Sequence, residues 1–169
     1  MHVVSSFSSG PRPRSTITVL IGCDEAALEL KEILKAHLIA QGVEVVDYGV
    51  HTKNPVDYPD IARQVADDVA AGKSDRAILC CGTGIGMAIT ANKVPGVYAA
   101  QAHDTFSAER ARKSNNAQVL TMGARVIGSE LAKMIVDAWM LSEFAGAGSA
   151  RKIEKIRNIE ARSNSKVED

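Results

Sequence analysis

The chain predicts an α/β fold, a Rossmann-like three-layer sandwich with a five-stranded parallel sheet and an extra C-terminal helix. Three observations carry that expectation. From Thr16 onward, short β-branched runs alternate with segments whose apolar residues recur at helical spacing. The spacing leaves room for a helical crossover between successive strands, which is what a parallel sheet requires. The predicted strands also run out into glycines and polar residues, and open parallel sheets bind ligands beyond those carboxyl ends.

Ile17 to Gly22 is the first strand, with Asp24 placed to cap the helix that follows. In that helix Ala26, Leu30, Ile33, Leu34 and Leu38 share a face, and Gly42 ends it. Val43 to Asp47 is the second strand. A loop through Asn54-Pro55 leads to a helix faced by Ile61, Val65 and Val69 and stopped at Gly72. Arg76 to Cys81 is the third strand, followed by a glycine loop and the short helix Ala88–Lys93. Val97 to Ala100 is the fourth strand, Thr105 to about Lys113 a helix, and Gln118 to Met122 the fifth strand. Leu131 to Phe144 is an apolar helix carrying the single Trp. A Gly/Ala/Ser break over Ala145–Ala150 precedes a last helix striped by Ile153, Ile156 and Ile159. That stripe follows a sheet already clothed, and the expectation is that it docks on a partner subunit.

The predicted organisation is a disordered leader (1–15), a Rossmann-like domain (16–145), a C-terminal loop and helix (146–163) and a tail (164–169). The leader MHVVSSFSSGPRPRS is rich in Ser, Pro and Arg and lacks an apolar segment or helical pattern, so it does not read as a targeting peptide. Lys+Arg and Asp+Glu balance at 20 each, which argues against nucleic acid or an anionic membrane as partner. Three cysteines, two of them adjacent, make no disulfide framework and fit a reducing cytoplasm. They also lack the spacing of a zinc site, so no metal is expected.

The chemistry is concentrated in Cys80-Cys81-Gly82-Thr83-Gly84-Ile85-Gly86-Met87. A strand passing through glycines into a helix presents free N–H groups at the positive end of a helix dipole. Such a loop stabilises an anion that forms during a reaction as well as a bound one. The same dipole favours the thiolate of a cysteine at the loop's mouth. Neighbouring strand residues face opposite sides, so only one of Cys80 and Cys81 looks into the loop.

A dinucleotide fingerprint fails, because its last glycine would be Met87 and the loop follows the third strand. A phosphate-binding P-loop fails for want of Gly-Lys-Ser/Thr. Thiol hydrolysis needs an orienting His, and His103 has no evident third member. What remains is proton abstraction beside a carbonyl, with the loop amides holding an enediolate. That is aldose–ketose isomerisation, which needs no metal or organic cofactor.

Gly22-Cys23-Asp24 with Leu30-Lys31, Asp57-Tyr58-Pro59, Cys81 to Gly86, Ala91 to Gly96, and Gly123 to Gly128 together resemble the type B ribose-5-phosphate isomerase/LacAB sugar-phosphate isomerase family, over about Thr16–Arg162. The resemblance implies a homodimer, or a dimer of dimers, with sites at the subunit interface. It implies Cys81 as the base, amides of Gly82, Thr83, Gly84, Ile85 and Gly86 around the enediolate, and Thr83 assisting proton transfer between oxygens. Asp24, Tyr58 and Asn115 match positions that contact sugar hydroxyls, and Arg125 a phosphate-binding one.

The chain departs from the family in three places. Glu25 stands where the ribose enzymes carry a His near the phosphate. Ser114 stands where they carry the ring-opening His. The C-terminal loop offers only Arg151 and Lys152 toward a partner's phosphate. A tetrose phosphorylated at O4 has no free hydroxyl to close a furanose and needs no ring-opening acid. The expected substrates are therefore ribose 5-phosphate or a tetrulose 4-phosphate of the erythrulose 4-phosphate type, with His103 open as a substitute for the missing His. The alternatives are a galactose-6-phosphate isomerase-type subunit or a non-catalytic sugar-phosphate-binding partner in a mixed oligomer.

Overall fold

The computed structural model describes residues 17–164; the expected leader and the tail after Asn164 lie outside them. Five parallel strands, β1 (Thr18–Cys23), β2 (Glu44–Asp47), β3 (Ala77–Cys81), β4 (Ala99–Gln101) and β5 (Val119–Gly123), form one sheet in the order β2-β1-β3-β5-β4. The inner strands β3 and β5 are buried at every residue, as a sheet covered on both faces requires.

On one face lie α1 (Leu28–Ala40), α4 (Thr105–Asn115) and α5 (Ser129–Met140), which bury Leu34, Leu38, Ala108, Ile135 and Trp139 against Ile21, Ile78 and Leu120. The other face is covered by α2 (Tyr58–Ala70) and α3 (Ile85–Ala91), packing Val65, Ala66, Met87 and Ala91 on Leu20, Leu79 and Val119. Burying each large aliphatic side chain stabilises the fold by about 1.5–3 kcal/mol, before the entropy of ordering it. Trp139 is fully buried, and its indole N–H donates to the Ala117 carbonyl at 3.2 Å, so no polar atom is stranded there.

Strand order reverses between β1 and β3, whose following helices go to opposite faces. The crevice at their carboxyl ends is the place where such a sheet takes a ligand. Most elements match the expected ones within a few residues. β4 begins at Ala99 rather than Val97, because the Val97 N–H closes a turn onto Val94 and the Tyr98 N–H goes to the Gln118 side chain. Asp24 caps a 3-10 turn, Glu25–Ala27, ahead of α1. The last helix, α6 (Ala147–Asn164), buries Ile153 on its own subunit and leaves Ile156 and Ile159 exposed.

Candidate active site

Cys81 is the last residue of β3, and its Sγ accepts the Gly84 N–H at 3.0 Å. Cys80 faces the opposite core, where burial pushes its thiol well up; Cys23, its register partner on β1, is pushed up to about 11 by the same cause. The two adjacent cysteines thus occupy separate environments.

The loop after Cys81 is built on backbone contacts that admit no side chain. Gly84 has φ +80, and a Cβ there would stand 2.8–2.9 Å from the Met122 backbone. Gly123 answers it from β5: a Cβ on it would lie 2.6 Å from Thr83 Cα. The Tyr58 ring covers Gly86, with ring carbons 2.4 Å from where a Cβ would sit. Tyr58 can reach the loop because it opens α2, with Pro59 accommodated in the first turn. The N–H groups of Gly82, Thr83, Gly86 and Met87 find no acceptor among the described residues, while that of Ile85 goes to Thr83 Oγ1 at 3.3 Å. This is a concave set of donors beside a sulfur, the arrangement that stabilises a developing oxyanion.

Other strand ends border the loop. The Arg125 guanidinium lies over Gly82, 3.5 Å from the position of a Cβ there. Asp24 Oδ1 accepts the Ala27 N–H at 3.2 Å; burial and then the Glu25 charge raise its carboxyl, against backbone donors and Arg125. Glu25 accepts the Val56 N–H at 3.2 Å and so ties down the segment that leads into Tyr58. His103 Nε2 accepts the Gly123 N–H at 2.9 Å, which leaves Nδ1 as the nitrogen open to a ligand. Asp24, Glu25, Tyr58, His103 and Arg125 therefore gather with Cys81 and Thr83 at one end of the sheet.

Asn115, Arg151 and Lys152 do not join them. Asn115 ends α4, which starts beside β4's carboxyl end and runs back to the amino end of the sheet. There the Ala145 N–H meets the Lys113 carbonyl, and α6 begins, placing Arg151 and Lys152 at that same opposite end.

Sequence reasoning missed Gln101 and Thr121. Gln101 Nε2 donates to the Thr83 carbonyl at 2.6 Å, and the buried Thr121 Oγ1 donates to the Gly84 carbonyl at 2.9 Å. Neither has a local signal, since each reaches the loop only through the β4–β5 register that pairs them.

Among the described residues, Glu32, Asp47 and His51 are close enough to hold a cation. Asp47 is already taken by the ammonium groups of Lys31 and Lys35, at 2.8 and 2.7 Å, which occupy the place of a metal.

The chain is thus a doubly wound α/β protein with a thiol set against a glycine loop at its switch point, and known proteins narrow that class. A family model described as Ribose/Galactose Isomerase matches residues 19–156. The D-erythrulose-4-phosphate isomerase of Pectobacterium atrosepticum is 55% identical over 142 residues, covering 83% of this chain and 93% of that one. The ribose-5-phosphate isomerase B of Escherichia coli is 44% identical, over 86% of this chain and 98% of its own. The solved structure of Clostridium thermocellum ribose-5-phosphate isomerase B superposes with a TM-score of 0.85 at 41% identity, over 87% of this chain and 99% of that one. The chain belongs to the ribose/galactose isomerase family.

Proposed function

We propose that the protein is an aldose–ketose isomerase of a short phosphorylated sugar, with Cys81 as base. The observation that carries this is the Cys81 sulfur lying against a loop of unpaired N–H groups. In the ketose-to-aldose direction the Cys81 thiolate takes a proton from C1. The electron pair moves onto the carbonyl oxygen, and the free N–H groups of the loop, those of Gly82, Thr83 and Gly86, hold the enediolate. Thr83 moves the proton between the two oxygens, and Cys81 returns its proton to C2. Asp24, Glu25, Tyr58 and His103 border the sugar hydroxyls, and Arg125 takes the phosphate.

A second copy of the chain supplies Asn115, Arg151 and Lys152. Their place at the opposite end of the sheet supports this, as do the exposed apolar residues Ile85 and Ile89 on α3 and Ile156 and Ile159 on α6. A catalytic thiol needs reducing surroundings, and we assign the protein to the cytoplasm.

The substrate is ribose 5-phosphate or erythrulose 4-phosphate. Ser114, in place of the ring-opening His that the resemblance implies for ribose enzymes, favours the open-chain tetrulose, and so does the identity to the Pectobacterium enzyme. Turnover by purified protein on ribose 5-phosphate, erythrulose 4-phosphate and galactose 6-phosphate in parallel tests this. Erythrulose 4-phosphate is expected to be best. A clear preference for ribose 5-phosphate overturns the reading of Ser114, and sugar-phosphate binding with no turnover of any overturns the enzyme.

A further inference from the structure

We propose that Gln101, at the end of edge strand β4, is a positioning residue that aims the Gly84 N–H at the Cys81 sulfur. The argument runs through one peptide plane. A trans peptide is rigid, with its C=O and N–H pointing in opposite directions. In the plane joining Thr83 to Gly84, the carbonyl accepts from Gln101 Nε2 at 2.6 Å, and the N–H points at Cys81 Sγ at 3.0 Å. Fixing one end of the plane fixes the other. The next plane is held in the same way, with the Gly84 carbonyl on Thr121 Oγ1 at 2.9 Å and the Ile85 N–H on Thr83 Oγ1 at 3.3 Å.

The loop cannot hold the first plane unaided. Gly84 and Gly86 give the chain freedom that any other residue would deny it, and Gly84 sits at φ +80. Thr121 is buried beneath the loop, whereas Gln101 reaches Thr83 from the exposed edge. Gln101 therefore supplies the only side-chain bond among the described residues to the carbonyl whose partner N–H meets the sulfur. An N–H donated to sulfur favours the thiolate over the thiol, so Gln101 acts on the reactivity of Cys81 without touching it.

The kinetic part of the test rests on the isomerase reading; the other part does not. Gln101→Glu keeps the shape and replaces the donor by a carboxylate that repels the Thr83 carbonyl, and Gln101→Leu removes the donor alone. Position 101 is exposed, which spares the core. In the first arm, the rate of Cys81 alkylation by iodoacetamide is followed against pH, with Cys23 and Cys80 fully buried and silent. The midpoint is expected to rise in both variants, more in Gln101→Glu. The titratable or charged groups bordering the loop, Asp24, Glu25, Tyr58, His103 and Arg125, are the same in all three proteins, and only Gln101→Glu adds a charge, so the Gln101→Leu midpoint is the deciding one. In the second arm, kcat on the best sugar phosphate is expected to fall about tenfold to a hundredfold with KM within about twofold. An unmoved alkylation profile in Gln101→Leu overturns the proposal, whatever Gln101→Glu does through its added charge. If wild type turns over no sugar phosphate, the isomerase reading fails and the alkylation profile still decides the role of Gln101.

Discussion

Two adjacent thiols with opposite surroundings set the sharpest expectation at the scale of single residues. Cys81 looks into the glycine loop, and Cys80 lies in the far core with its ionisation suppressed by burial. Cys81→Ala is expected to abolish exchange of the substrate's carbon-bound proton with solvent while leaving the urea midpoint close to wild type. Cys80→Ala is expected to keep turnover and to cost about 1 kcal/mol from the small cavity it leaves. Proton exchange retained in Cys81→Ala removes that sulfur as the base. This facing was legible in the sequence, because strand periodicity separates neighbours whatever the fold around them. The bonds from Gln101, Thr121 and His103 were not legible. They depend on which strand lies beside which and in what register, and no local pattern in Ala99–His103 records that Gln101 ends opposite Thr121.

At the scale of elements, a buried charge cluster joins α1 to β2 and sets the loop that ends at Tyr58. Lys31 is fully buried and pairs with Asp47 and Glu32, while Asp47 also holds Lys35 and accepts the Gly49 N–H at 2.8 Å. Burial pushes the Asp47 carboxyl upward, but hydrogen bonds from Lys31, Lys35 and Gly49 outweigh it and bring its pKa down to about 2. A depressed carboxylate contributes stability above its unfolded value, roughly 3.9, and that contribution is lost as pH falls through the folded one. Between about pH 4 and 2 the protein should lose on the order of 2 kcal/mol from this group alone. Asp47→Asn should flatten that part of the profile and, by stripping Lys31 of its main counter-charge, cost about 3 kcal/mol at neutral pH. Urea unfolding across pH for both proteins checks it; the same acid slope in the variant sinks the assignment. Hydrophobic periodicity showed α1 and β2 in the sequence. It did not show that the lysine in Leu30-Lys31 turns inward, since a lone Lys on a helix usually lies in solvent. Only the proximity of Asp47 on the next strand makes its burial tolerable.

For the whole molecule, the proposed site draws on two groups of residues that lie at opposite ends of one sheet. The resemblance anticipated Arg151 and Lys152 as reaching toward a partner's phosphate and Asn115 as a sugar contact, but no local pattern in the chain sets Asn115 apart from Cys81. The separation follows from α4 running back along the sheet and α6 starting where α4 ends. A symmetric dimer in which each chain lends its amino-end group to the other's thiol reconciles the two, and it makes a quantitative prediction. Cys81→Ala and Asn115→Ala are each expected to be nearly inactive alone. When the two variants are co-expressed and assort at random, half of the dimers are mixed, and each mixed dimer contains one site with both residues intact. Activity should then recover to about a quarter of wild type per chain. If each chain built its site alone, mixing would give no more than the average of the two residual activities, and the exposed isoleucines of α3 and α6 would need a different explanation. The same mixture made with Cys81→Ala and Tyr58→Phe is the internal control. The Tyr58 ring covers Gly86 of the same chain, so with Tyr58 and Cys81 in cis every site of the mixed dimer lacks one of the two, and no recovery is expected. Recovery with Asn115→Ala and none with Tyr58→Phe would place the thiol, the loop and the tyrosine on one chain and the asparagine on the other; a chain carrying both Cys81→Ala and Asn115→Ala, mixed with wild type, should then lose both sites of every mixed dimer rather than one.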